Sequence, residues 1–320
     1  MLITTKQMYE HCYGKYALAA VNVAFMEQVL ALFAAASEAS SPVIVQTTPF
    51  QRSYAGQEML IGMMQAASQI YPDVVYAAHI DHGDEENVHD AIESGFYTSV
   101  MIDASHDAFH TNVERTRAVV QKAGLKGISV EAELGVLSGV EDNMTIQEEK
   151  AFYTDPEQVE EFVGKTGCDS LAIAVGTSHG AYKFSGGQGL QFHILEDIQQ
   201  RLPGFPLVLH GGSAVNYEEI DRINKAGGRL KPTAKGVDPG EVQRSIQFGI
   251  CKVNLATDLR LLWTRVVREF FHLNPHEFRP TSPGTIYMEE YKKTMINKFE
   301  LFSSIDKANS LKEHILSQSS

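Results

Sequence analysis

Cysteine is scarce in this chain of 320 residues, limited to Cys12, Cys168 and Cys251. They lie far apart with no C-x-x-C spacing, which excludes a disulfide framework and a thiolate zinc site. A basic surplus is missing as well. With 27 Lys and Arg against 40 Asp and Glu, the formal net charge is −13, so general affinity for nucleic acid or for an anionic membrane is excluded. No uninterrupted apolar run approaches the roughly 20 residues of a membrane span. Met1 to Tyr13 shows no basic stretch leading into an apolar core and a small-residue cleavage site, so an unexported, cytoplasmic protein is expected. There is no low-complexity tract.

What is present is 43% hydrophobic residues, too many for disorder, in a length that suits either two ordinary domains or one α/β barrel. From Ala17 onward, short β-rich apolar runs alternate with helical patterns. This is the signature of βα units around a parallel sheet. The expected strands are Leu18–Val23, Pro42–Thr47, Val74–Ile80, Ser99–Asp103, Ile128–Glu133, Ser170–Val175, Pro206–His210 and Cys251–Leu255. Eight rounds predict a single (β/α)8 TIM barrel over 1–320, with extra helices in a C-terminal extension over about 286–320. Asp258–Phe271 and Met288–Phe302 carry amphipathic helical patterns on either side of a Pro/Gly-rich stretch, Pro275–Gly284. Gly227–Gly240 reads as a surface insertion.

In such barrels the chemistry gathers at the C-terminal ends of the strands. The third strand exits through His79-Ile80-Asp81-His82-Gly83, two imidazoles and a carboxylate that can hold a metal and a proton acceptor together. His82 just past this strand, His179 after the sixth and His210 ending the seventh form a three-imidazole zinc set with an open fourth position. His79, further inside the strand, is expected to support rather than to ligate. Asp103, Glu131, Glu133 and Asn254 reach the same face from strands four, five and eight.

An acidic protein that binds an anion needs a local source of positive potential. Gly176 to Lys183, then His210-Gly211-Gly212-Ser213, then Asn254-Leu255-Ala256-Thr257 offer small residues with accessible N–H groups, hydroxyls and one lysine. Together they form an anion cradle where barrels commonly bind phosphate. The polar loop Ser138–Asn143 can close over the mouth and bring Glu141 with it.

The segments H-I-D-H-G, M-I-D-A-S-H, V-E-A-E-L-G, G-T-S-H-G-A-Y-K, L-V-L-H-G-G-S and C-K-V-N-L-A-T resemble, in family order over nearly the whole chain, the motifs of class II ketose-bisphosphate aldolases. The resemblance implies a TIM barrel, a homodimer or homotetramer, one Zn²⁺ per subunit and a monovalent cation, Na⁺ or K⁺, near the phosphate. It also implies His82, His179 and His210 as zinc ligands, Asp81 as the carrier of the substrate C4 hydroxyl proton, and Glu141 as the residue returning a proton to carbon. By the same resemblance, Gly180, Lys183, Gly211, Ser213, Asn254 and Thr257 hold the dihydroxyacetone-phosphate end, and Asp103 and Glu133 can take a displaced or second metal ion.

The distal end of the substrate is where the pattern departs. Ala256 stands where several fructose-bisphosphate enzymes carry aspartate and tagatose-bisphosphate enzymes carry alanine. The family's D-P-R-x-Y-L stretch is replaced by Phe278–Thr285, leaving Arg260 as the contact expected for a distal anion. Fructose 1,6-bisphosphate is the expected substrate, with tagatose 1,6-bisphosphate and other ketose 1-phosphates as alternatives. A barrel metallohydrolase and a non-catalytic sugar-phosphate-binding protein are the readings outside the family.

Overall fold

A computed structural model of the chain describes residues 1–136, 139–141, 144–146, 152–177, 189–231 and 237–318. Eight strands form the barrel: β1 (Leu18–Asn22), β2 (Val43–Thr47), β3 (Tyr76–Gly83), β4 (Ser99–Ile102), β5 (Ser129–Leu134), β8 (Ser170–Ile173), β9 (Leu207–Leu209) and β10 (Ile250–Leu255). Between β5 and β8 a short antiparallel pair, β6 (Gly139–Glu141) and β7 (Met144–Ile146), stands apart from the barrel, where the sequence suggested only a polar loop. Barrel neighbours pair in parallel in the order β1-β10-β9-β8-β5-β4-β3-β2, and β1 closes the ring by pairing with both β10 and β2.

The helices that cover the barrel are α2 (Met26–Glu38), α3 (Pro49–Ala55), α4 (Gln57–Ile70), α5 (Glu85–Glu93), α6 (Phe109–Gly124), α7 (Pro156–Thr166), α8 (Phe192–Arg201), α9 (Tyr217–Lys225), α10 (Pro239–Ser245) and α11 (Thr257–Leu273). Before them comes α1 (Thr5–Cys12), and after them α12 (Thr281–Leu301) and α13 (Ala308–Gln318). Among the described residues, no helix is long and apolar enough to cross a membrane.

Local chemistry explains several boundaries. α7 starts on Asp155, whose side chain accepts from the Glu157 N–H, has Pro156 in its first turn, and stops at Gly167 in the left-handed conformation; this is the expected asymmetry of helix ends. α12 begins earlier than the Pro275–Gly284 stretch suggested, with Pro283 and Gly284 inside its first turn. First-turn N–H groups have no intrahelical acceptor, so a proline there breaks nothing. α1 carries a capping box between Thr4 and Gln7 and lies beneath the barrel. Its Met8, Tyr9 and Cys12 join Leu18, Ala20, Ile44 and Ala77 of the strands and Leu311 and Ile315 of α13 in a separate apolar cluster that seals the N-terminal end.

The third strand differs most from expectation. Rather than ending at Ile80, it runs through Asp81 and His82 to Gly83, and its register against β4 slips: Ile80 faces Val100, yet Gly83 faces Ile102. One extra residue is therefore accommodated in β3, a bulge. His82 takes a left-handed φ of 47° there, a conformation costing a non-glycine residue roughly 1–2 kcal/mol.

Gly83 allows the bulge to pack. A Cβ at that position would lie 2.6 Å from Val88 Cγ2 of α5 and 2.9 Å from the Met101 carbonyl oxygen of β4. Gly83→Ala is expected to destabilise the fold by roughly 1–3 kcal/mol through overpacking, seen as a lower urea midpoint. An unchanged midpoint would show that β3 can move away from α5 at no cost.

Candidate active site

A regular strand sends successive side chains to opposite faces, so adjacent residues cannot both reach the barrel mouth. The bulge overcomes this for Asp81 and His82. Ligand atoms of Asp81, His82 and His210 lie within 4.8 Å of one another, and the two imidazole rings stand 4.6 Å apart between centroids.

Asp81 is fully buried and held by side-chain amides. Asn254 Nδ2 donates to its Oδ1 at 3.0 Å, while Asn22 Nδ2 and Gln46 Nε2 donate to Oδ2 at 3.2 and 3.0 Å. Gln46 Nε2 also donates to Asn22 Oδ1 at 2.9 Å, which fixes the two amides relative to each other. Donors from β1, β2 and β10 thus converge on one carboxylate. Such hydrogen bonding favours the ionised form, the form a proton acceptor needs.

Each imidazole is oriented by a carboxylate. His82 Nδ1 lies 2.7 Å from Asp103 Oδ2, and the Ser105 backbone N–H and hydroxyl donate to Asp103 Oδ1. Burial opposes ionisation of Asp103, but the His82 hydrogen bond and charge overcome it and hold the carboxyl well below the usual range. His210 Nε2 lies 3.1 Å from Glu131 Oε1. Burial alone would depress the His210 pKa, yet Glu133 and Glu131 raise it to about 9. A divalent ion bound at this imidazole would meet the same two carboxylates.

The donor set fits zinc. With Nδ1 of His82 and Nε2 of His210 at hydrogen-bond distance from Asp103 and Glu131, a metal would take Nε2 of the first and Nδ1 of the second, the carboxylate–histidine–metal arrangement common in zinc proteins. Glu133 Oε2 lies 3.8 Å from His82 Nδ1 and 3.6 Å from His210 Nδ1 and makes no hydrogen bond among the described residues. Asp103 and Glu133 with His82 also satisfy the spacing for a metal. In this structure, however, Asp103 serves as the orienting partner of His82.

Of the other residues expected at the site, Ser213 is buried and its Oγ accepts from the Ala256 N–H at 3.1 Å. Gly211 is left-handed, with φ 64°. Thr257 opens α11 directly behind Asn254, and Arg260 is exposed on the first turn of that helix. A helix N-terminus beside Ser213 and Gly211 is suited to an anion. His179, Gly180 and Lys183 lie outside the described residues, as does the side chain of Glu141, whose backbone is in β6.

Several contributors were not assigned roles from the sequence: Asn22, Gln46, the orienting carboxylate Glu131 and, above all, Lys252. The signal for Lys252 was there to be read. A lysine inside Ile250–Leu255, two residues before Asn254, shares that residue's face by strand alternation and cannot reach solvent from a covered barrel.

The comparisons with known proteins point the same way. Residues 3–307 match the family model described as fructose-bisphosphate aldolase class-II. A fructose-bisphosphate aldolase of Thermus caldophilus is 41% identical over 297 residues, covering 92% of this chain and 95% of that one. One from Giardia intestinalis is 39% identical, covering 97% and 96%. Among solved structures, the YdjI aldolase of Escherichia coli K12 superposes with a TM-score of 0.76 at 29% identity, covering 96% of this chain and all of that one. A Campylobacter jejuni fructose-bisphosphate aldolase, at 20% identity and a TM-score of 0.74, shares the fold.

Proposed function

The chain belongs to the class-II fructose-bisphosphate aldolase family, and we propose that it cleaves fructose 1,6-bisphosphate between C3 and C4 to dihydroxyacetone phosphate and glyceraldehyde 3-phosphate. The family is zinc-dependent. When bound, the ion supplies the Lewis acidity that bond cleavage next to a carbonyl requires. The observation that carries the reading is the juxtaposition of Asp81, fixed by amide donors from β1, β2 and β10, with the imidazoles of His82 and His210.

His82 and His210, with His179, hold one Zn²⁺ per subunit in this reading, and Asp103 and Glu131 keep the two described rings aimed. Asp81 takes the proton of the C4 hydroxyl as the C3–C4 bond breaks. Asn254, one of the residues that fix Asp81, lies beside the reacting carbons. Glu141 returns a proton to carbon. Gly211, Ser213 and Thr257, joined by Gly180 and Lys183, anchor the phosphate of the dihydroxyacetone end. An anchor at that end would fix the sugar against Asp81 and convert cleavage into a positioned, unimolecular step. A monovalent cation, Na⁺ or K⁺, completes the phosphate site, and Arg260 meets the distal anion. Residues 1–320 act as one barrel domain, assembled as a homodimer or homotetramer in the cytoplasm.

Tagatose 1,6-bisphosphate is the second reading, and Ala256 favours it. Its backbone directs the start of α11 without any side-chain cap, leaving no carboxylate to choose the C4 configuration. Coupling dihydroxyacetone phosphate release to a reductase, with each bisphosphate in turn, decides the matter. A higher kcat/KM for the fructose compound is expected. A preference for the tagatose compound would reverse the substrate, and turnover of neither would remove the aldolase reading.

A further inference from the structure

Deep to the proposed zinc centre lies a second set of donors with metal-like spacing: His79, Asp81 and Glu131, all buried, with one ligand atom from each within 4.8 Å of the others. The space among them is taken by the ammonium of Lys252, whose side chain is fully buried. Its Nζ donates to Glu131 Oε2 and Oε1 at 2.8 and 2.9 Å and to His79 Nε2 at 3.2 Å, and it stands 3.7 Å from Asp81 Oδ1.

An ammonium has donors only, so the His79 Nε2 that faces it must be a lone pair. The proton of His79 therefore sits on Nδ1, where Ser99 Oγ lies 2.8 Å away, and Ser99 in turn contacts Thr5 Oγ1 of α1 at 2.9 Å. Burial and Lys252 push His79 down to a pKa of about 3, consistent with a neutral ring acting as acceptor. These are the features of a coordination shell: a neutral imidazole lone pair and two carboxylates around one cation. Here the cation is covalently tethered.

We propose that Lys252 is the resident cation of this second donor set, and that it keeps a divalent ion out of the inner position. Asp81 and Glu131 belong to both neighbourhoods, since Asp81 is grouped with His82 and His210 as well and Glu131 Oε1 contacts His210 Nε2. A second divalent ion in the inner position would take Asp81 as a ligand and withdraw it from proton transfer. An ammonium offers only hydrogen bonds and one charge, which neutralises Glu131 while leaving Asp81 ionised. Lys252 is thus a positioning residue, acting through Asp81 and Glu131. The inference rests on the single-ion centre proposed above.

Cobalt(II) bound per chain, measured by equilibrium dialysis and by its visible absorption, tests both statements separately. The wild type is expected to hold one ion; none would remove the zinc-centre reading itself. Lys252→Ala, which opens the inner position, is expected to hold two. Lys252→Arg, which keeps a tethered cation, is expected to hold one. A Lys252→Ala protein that holds one ion beside a wild type that holds one overturns the inference alone. If Lys252→Ala does not fold without metal, it is refolded in excess cobalt: folded protein carrying two ions supports the inference, and folded protein carrying one, or no folded protein, overturns it.

Discussion

Asp81→Asn is expected to lower kcat by about 10²–10⁴-fold, the range for loss of a positioned proton-transfer group, with the bound zinc retained. The substitution changes little in shape. Asp81 receives donors on both oxygens, from Asn254 on one and from Asn22 and Gln46 on the other. An amide supplies only one acceptor oxygen, which can satisfy Asn22 and Gln46. The new NH₂ would then face Asn254, whose Oδ1 has no hydrogen-bond partner among the described residues and can turn to accept it. The site therefore stays packed while the proton acceptor is lost. Zinc content and urea midpoint are measured beside kcat. A variant retaining more than a tenth of the wild-type kcat would exclude Asp81 as the proton carrier. A variant that loses its zinc would make Asp81 a metal ligand instead.

The amides that hold Asp81 mark the border of what the sequence made legible. The βα rhythm located all eight barrel strands to within a few residues, because strands covered by helices read as largely apolar runs. Side chains at strand ends then follow from the barrel rule alone, which is how Asp81, His82, His210 and Asn254 could be grouped. The bulge at His82 could not be read in this way. A register slip is a property of two strands, β3 and β4, and the apolar pattern of either strand is the same with or without it. Without the slip, alternation would have set His82 on the opposite face from Asp81.

Partnerships inside the barrel were equally hidden. Asn22, Gln46, Glu131 and Lys252 each look like isolated polar residues in their own strands. Only closure of the ring brings Glu131 of β5 to His210 after β9 and to Lys252 of β10, separations of 79 and 121 residues. The capping box of Thr4 and Gln7 was readable as a T-x-x-Q start, yet nothing local said that the helix it begins would seal the barrel floor.

His210→Ala is expected to release the zinc and to reduce turnover by on the order of 10³-fold or more, because a catalytic metal supplies several kcal/mol of charge stabilisation. Zinc sites with three protein ligands have none to spare. The protein should also fold less stably: Glu131 and Glu133 would remain buried beside an empty position, and Glu131 would keep hydrogen bonds only to Lys252 among the described residues. Burial works against ionisation of Glu131, and it is held well below the usual carboxylate range by Lys252 first and then by His210. Glu131→Gln separates orientation from ligation. It keeps His210 but weakens the partner that fixes its ring, and the loss of such a partner typically costs 10–100-fold in metal affinity. Zinc measured by chelator competition should therefore fall in two steps, partly for Glu131→Gln and wholly for His210→Ala. Full zinc occupancy in His210→Ala would remove His210 from the metal, and unchanged affinity in Glu131→Gln would show that the ring is held by its packing against His82 rather than by the carboxylate.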